Sequence, residues 1–351
     1  MTSPLSATDI RQAKSDATMR DRDLAHSLGI SEAQLVAAFV GQNDGQSVTR
    51  IAHNPDDVMP QITSLGEVMA LTRNESCVHE RVGTFEKYTS GQHASMVLGP
   101  DIDTRIFSKH WSFGFAVETQ TEKGTRKSLQ FFDAAGDALQ KVFMRDDSNH
   151  DAWGPLVTAL KTGDINDSIE VAPRKPAEGA QGSADNRSAL FEAWAKMTDT
   201  HQFNRITRNL GMNRLGAYRL ASGEKWVRPV AKDSSEAFLN AVAEARQKVI
   251  LFVGNPGNIQ IHWGTLDTIK PMGPWLNVLD PKFNLHLRDD HVVEAYVIEK
   301  PTKRGPALSF EAFDAAGNLI FQCFGQKNEE GDAARWANIL AELKTCEEAL
   351  A

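Results

Sequence analysis

The chain has 351 residues, 41% hydrophobic and 24% charged, which is enough for one large domain or two medium ones with real cores. Its 38 basic and 46 acidic residues give a formal net charge of −8, which argues against a nucleic-acid partner but leaves room for a local basic pocket holding a small anion. Cys77, Cys323 and Cys346 lie far apart with no CxxC spacing, against both a disulfide framework and a cysteine zinc site.

In chain order, "MTSPLSATDIRQAKSD" lacks the apolar core of a secretory signal. The longest purely apolar run, "VILFV" at 249–253, is far below a membrane span. The expectation is a soluble, cytoplasmic protein that is not membrane-embedded. "SEAQLVAAFV" reads as a helix, "FFDAAGDAL" as part of a hairpin, and "DAWGPLVTALKTG" as a closing helix. "VAPRKPAEGAQGSADNRSA" reads as a linker, being rich in Pro, Gly, Ala and charge. Helical sequence resumes with "FEAWAKMTDTHQFNRITRNLG". Strands follow in "VILFVG", "IQIHWG", "FNLHLR" and "VVEAYVIEK", then a hairpin in "ALSFEAFDAAGNLIFQCFG", and a final helix in "ARWANILAELKTCEEALA".

The two "DAAG" phrases, from Asp133 and Asp314, are 181 residues apart. At that offset Gly83-Thr84 falls on Gly264-Thr265, Pro100 on Pro281, His110 on His291, Glu118 on Glu299 and Phe143 on Phe324. "LGIS" (28–31) meets "LGMN" (210–213) at an offset of 182. This is a tandem duplication of a large unit, since solenoid repeats have periods of only ~20–50 residues. Helices at the ends and strands in the middle of each copy predict an α+β fold with a large, mostly antiparallel sheet flanked by helices. The expected division is a first repeat over 1–170, a linker over 171–187 and a second repeat over 188–351.

Positions where the copies differ are the candidates for function. His201 falls on Met19, Arg105 on His286, and His79 on Gln260. Drift would produce such differences, and so would a ligand site built once. If one helix runs through 190–201, then Leu190, Trp194, Met197 and His201 share a face. If Thr198 caps a new helix, His201 sits in its first turn while Phe203, Ile206 and Leu210 turn to the core. The spacing by itself favours a solvated or hydrogen-bonded helix histidine, although such an imidazole is also able to ligate haem iron through one nitrogen. Other motifs are weak. HExxH, GxxxxGK[ST], GxSxG and GxGxxG patterns do not occur. "VGNPGN" reads as a turn, "IHWGTLDTIKPMGPW" as a loop beside a sheet, and Asp289-Asp290 as a solvated turn. Arg105, Arg214, Lys300 and Lys327 each read singly as surface residues.

Taken together, "LGEVMALTRNESCVHERVG", "DIDTRIFSKHW", "QFFDAAGDALQKVF", "MTDTHQF", "GPWLNVLDPKFNLHLR" and "EKP" resemble the bacterial haem-utilisation proteins of the HemS/HmuS type, from about Arg20 to about Leu343. The resemblance implies a cytoplasmic protein with one haem in a cleft between its halves. It implies His201 as the axial iron ligand, Arg105 as a distal and catalytic residue, and Arg214 and Lys300 as pocket residues. Phe252 and Phe324 would meet the macrocycle, and His79 would make a second haem contact. The family's usual "QLYGQR" stands here as "QCFGQK", so Phe324 replaces a tyrosine and Lys327 an arginine, which changes the hydrogen bonding at that edge. Two functions follow from the resemblance. One is oxidative haem degradation with iron release, using an external electron donor. The other is a haem chaperone that accepts haem from an inner-membrane ABC importer. A haem-independent α+β scaffold is the third reading.

Overall fold

The reason the "DAAG" phrase occurs twice is visible in its turns. Asp133 Oδ1 accepts the backbone N–H groups of Ala135 and Asp137, both at 2.9 Å, and Asp314 Oδ1 accepts that of Asn318 at 2.8 Å. The following glycines, Gly136 and Gly317, have φ of +81° and +82°, which a side chain would oppose. Each turn closes a hairpin with a bulge beside it: Gly124–Phe132 with Ala138–Ser148, and Ala307–Phe313 with Leu319–Gly325.

The computed structural model describes residues 5–43 and 45–345, so Cys346 and the last residues of the expected C-terminal helix lie outside the described residues. The chain forms two compact units. The first comprises the chain through Arg73, His79–Arg174 and the turn Gly254–Gln260. The second comprises Asn74–Val78, Lys175–Val253 and Ile261 onward. The first unit thus runs to Arg174, and each unit includes a short turn from the other half of the chain.

In the first unit the antiparallel strand order is Gln46–Arg50, Phe113–Thr121, Gly124–Phe132, Ala138–Ser148, Gly66–Arg73. Side chains alternate between faces, so each face has its own core. Phe115, Val117 and Phe132 pack under the helices Ala7–Asp16, Asp21–Leu28 and Glu32–Ala37. Ala116, Leu129 and Phe131 pack with Pro55–Ile62 and Trp153–Leu160 on the other face. A three-stranded piece, Tyr88–Thr89, Ser95–Leu98 and Asp103–Ile106, carries Arg105.

The second unit repeats this plan, with the order Val227–Val230, Glu294–Lys300, Ala307–Phe313, Leu319–Gly325, Val249–Asn255. Helices Arg187–Ala195, Gln202–Asn209 and Arg214–Leu220 cover Tyr296, Ile298 and Phe313. Helices Ser234–Glu244 and Asp332–Ala341 cover Leu251, Phe310 and Cys323 on the opposite face. The segment read as a loop, "IHWGTLDTIKPMGPW", instead contributes the strand Ile269–Met272. That strand pairs with Trp275–Leu279 across Gly273, whose φ of +59° makes the tight turn. The expected linker is irregular yet anchored: Gln181 exchanges hydrogen bonds with Asn213, and a Cβ on Gly216 would lie 1.8 Å from the Gln181 carbonyl oxygen. Among the described residues no helix is long and apolar enough to cross a membrane.

Candidate functional site

The second unit's sheet puts two cross-strand rows on the face that its three N-terminal helices partly cover. One row is Tyr296, Glu311, Gln322, Phe252; the next is Ile298, Ser309, Phe324, Ile250. The helices bury the Tyr296 and Ile298 end, whereas Ile250, Phe252, Gln322 and Phe324 stay half-buried. Phe252 and Phe324 meet edge to face at 5.9 Å, forming an accessible aromatic floor.

Arg214 stands beside this floor. Asn213 caps its helix by accepting the Gly216 N–H at 2.9 Å, which sets where the guanidinium begins. Nη1 donates to Glu311 Oε2 at 2.8 Å and to Gln322 Oε1 at 3.2 Å, and Nη2 donates to Asn204 Oδ1 at 3.3 Å. A quarter of its side chain is exposed. Beneath it, the buried Glu311 carboxylate also accepts from Lys300 Nζ (2.8 Å), Tyr218 Oη (2.9 Å), Ser309 Oγ (2.9 Å) and Gln322 Nε2 (3.0 Å). Burial opposes the charge on Glu311, but Lys300 and Arg214 outweigh it and hold the pKa at about 2. Burial likewise lowers Lys300, to about 8 despite Glu311. Two cations thus share one carboxylate, so this patch keeps excess positive charge in an acidic chain.

His201 lies on the helix next to Arg214. The chain from Trp194 to His201 is not one helix: Arg187–Ala195 ends and Gln202–Asn209 begins, with His201 at the N-cap position and not in the first turn. The break is pinned by a reciprocal pair, Thr198 N–H to Gln202 Oε1 (2.8 Å) and Gln202 Nε2 to Thr198 Oγ1 (3.1 Å). Phe203 turns into the core against Trp194, 4.6 Å between centroids, as expected, whereas Ile206 and Leu210 are only half-buried. The His201 side chain is 93% exposed, and its Nδ1 lies 2.7 Å from Asp199 Oδ1. Asp199 is held below the usual carboxylate range, first by the His201 backbone N–H and then by the ring. A carboxylate on Nδ1 leaves Nε2 as the ring's outward lone pair.

The other expected residues lie elsewhere. Arg105 is half-buried on its first-unit strand, paired with Asp103 and bonded to the Thr104 carbonyl at 3.2 Å. Lys327 is exposed, its Nζ 2.5 Å from the Pro306 carbonyl. One expectation needs correction: Lys300 is not a surface lysine but is buried, its ammonium engaged by Glu311 and Tyr218, and it supports Arg214 from below. His79, expected as a second haem contact, is fully buried in the first unit with Nδ1 2.9 Å from Gln260 Nε2. Asp199, Asn204, Tyr218, Glu311 and Gln322 were missed. Asp199 lies in the "MTDTHQF" phrase and Asn204 one residue after it; Tyr218 comes in on the helix that carries Arg214, and Glu311 and Gln322 meet only through strand register.

The duplication sharpens the picture. Offset 182 places Glu32 where the second copy has Arg214, and offset 181 places Lys141 on Gln322. Glu32 is buried and paired with Lys141 and Arg73, which against burial hold its pKa at about 2. Met69, Leu71 and Phe143 occupy the positions of Ile250, Phe252 and Phe324. The first copy keeps the apolar floor but replaces the guanidinium by a carboxylate and the histidine by exposed Met19. Among the described residues no group of three or more His, Cys, Asp or Glu could hold a bare metal ion. Cys77 and Cys323 are buried with their thiol pKa values pushed up.

Comparison with known proteins gives concordant matches. The family model described as "Haemin-degrading HemS.ChuX domain" matches twice, at residues 29–160 and 211–343. The hemin transport protein HmuS of Yersinia pestis is 33% identical over 324 residues, 92% of each chain. The crystal structure of holo-PhuS, a heme-binding protein from Pseudomonas aeruginosa, matches with a TM-score of 0.90 and 35% identity, covering 97% of this chain and all of that one. That of ChuS, an E. coli heme oxygenase, matches with a TM-score of 0.84 and 32% identity over 95% of this chain and 99% of that one.

Proposed function

This chain belongs to the haemin-degrading HemS/ChuX domain family, and from that premise we propose that it binds haem as cargo and substrate in iron acquisition, degrading it oxidatively to release iron. The observation that carries the reading is His201, an exposed imidazole whose Nδ1 is already held by Asp199, so that Nε2 would be the atom to hold the haem iron. The residues around it fit the group. The half-buried floor of Ile250, Phe252 and Phe324 suits an apolar macrocycle, and Arg214 suits a propionate. When bound, the haem iron would supply the redox chemistry. His201 would hold the haem, and Arg105, paired with Asp103, is the residue we assign as donor to the oxygen co-substrate. A cytoplasmic location, delivery from an inner-membrane ABC importer and an external electron donor complete the proposal.

Titration of the purified chain with hemin tests it. We expect a Soret band whose position changes in His201→Ala; wild-type protein without one refutes haem binding. The second reading, a carrier that hands haem on intact, is supported by the transport function in the Yersinia relative's name. Supplying the haem-loaded chain with a reductase and catalase separates the two. Stoichiometric conversion to one defined tetrapyrrole supports the degrading enzyme; haem loss abolished by catalase supports the carrier.

A further inference from the structure

The loop that presents His201 also holds its ring. Asp199 Oδ1 accepts twice from the same residue, from the His201 backbone N–H at 2.8 Å and from the ring Nδ1 at 2.7 Å. One carboxylate oxygen thereby sets both the backbone turn and the ring rotamer. The loop is anchored independently of that bond. Met197 is buried, the Lys303 N–H donates to the Thr198 carbonyl at 3.0 Å, and the Gln202 N–H donates to the Asp199 carbonyl at 3.2 Å. Asp199 therefore cannot drift away without undoing the start of the helix.

We propose that Asp199 is a positioning residue that fixes the His201 ring in the Nδ1–H tautomer, presenting Nε2 as a strongly donating axial ligand that favours ferric over ferrous haem. The physical reason is that an ionised carboxylate only accepts, so Nδ1 must carry the proton. Charge transferred from the carboxylate through the ring would then make Nε2 a stronger electron donor to a metal, as in carboxylate–histidine–metal arrangements generally. The duplication supports treating the two residues as one device. At the same offset the first copy has Ala17 for Asp199 and Met19 for His201, so both members are absent together. The inference rests on the haem-binding reading for its redox part and on the haem-free chain for its tautomer part.

The test uses the full chain with Asp199→Asn, Asp199→Ala and Asp199→Glu. Without haem, long-range 1H–15N spectra at pH 8.5, with the His201 signals identified by their loss in His201→Ala, should show the Nδ1–H form in wild type. In Asp199→Ala the ring should revert toward the Nε2–H form that free imidazole side chains prefer. With haem, Asp199→Asn should shift the ferric–ferrous equilibrium toward ferrous by about tenfold, ~59 mV for one electron, and lower the iron–histidine stretching frequency. Asp199→Glu should restore part of both. A wild-type ring in the Nε2–H form, or potentials equal across the series with the Soret band intact, overturns the inference and leaves haem binding standing. Absence of haem binding in wild type refutes the functional reading and with it the redox part, while the haem-free spectra still decide the tautomer.

Discussion

Glu311→Gln is the sharpest perturbation of the charge network under the candidate site. The wild-type carboxylate takes hydrogen bonds from Arg214, Lys300, Tyr218, Ser309 and Gln322, and titrates at about 2 against an ordinary 4.5. A carboxamide stands in for the protonated acid, so the loss at pH 7 is about 1.36 kcal/mol per unit over the difference, or roughly 3 kcal/mol. That sits at the low end of the ~3–5 kcal/mol typical of removing one partner from a buried pair. Lys300 can relieve the penalty by shedding its proton. In wild type it titrates at about 8, below its unfolded value, so the unfolded chain binds more protons above pH 8 and stability rises with pH there. In the variant Lys300 titrates lower, so that rise begins earlier and the gap to wild type narrows as pH climbs toward 8. Urea unfolding of both proteins from pH 4 to 9, followed by tryptophan fluorescence, measures the gap. A loss below about 1 kcal/mol, or a gap of constant size across that range, would refute the network as described.

Further outcomes follow from the same structure. Glu32 and Glu311 both have folded pKa values of about 2, below their unfolded values, so their stabilisation is complete above about pH 4.5 and is lost as pH falls toward 2. Acid unfolding monitored by circular dichroism should fall in that window and shift in Glu32→Gln. Gly216→Ala should destabilise by about 2 kcal/mol or more, because the added Cβ meets the Gln181 carbonyl oxygen at 1.8 Å; an unchanged melting temperature would contradict that packing. Phe252→Ala and Phe324→Ala remove half-buried rings, so each should speed haem loss several-fold while costing only about 1 kcal/mol of stability, measured by transfer to a haem scavenger and by urea unfolding. Arg105→Ala should slow haem turnover more than it weakens haem retention; unaltered turnover would remove Arg105 from the chemistry.

Much of this protein was legible before any coordinates. The α+β class, the duplication and the paired "DAAG" hairpins follow from local patterns, because period-2 alternation and turn chemistry act over a few residues. The family phrases pointed to His201, Arg105 and Arg214, and the offset comparison set His201 apart from Met19. What the sequence could not decide was the environment of each charge. Lys300 and His79 read as ligand residues, yet the fold buries both, because burial depends on which strands and helices come to lie over a position. Glu311 was silent in sequence, since its importance arises from strand register that lines it up with Gln322 and from a helix that lays Arg214 and Tyr218 above it. The sequence by itself determined most of the elements and their repetition, and singled out His201 as a candidate. Only the tertiary structure decided which cations face outward and which are neutralised within, because that balance is set by desolvation and by partners many residues away.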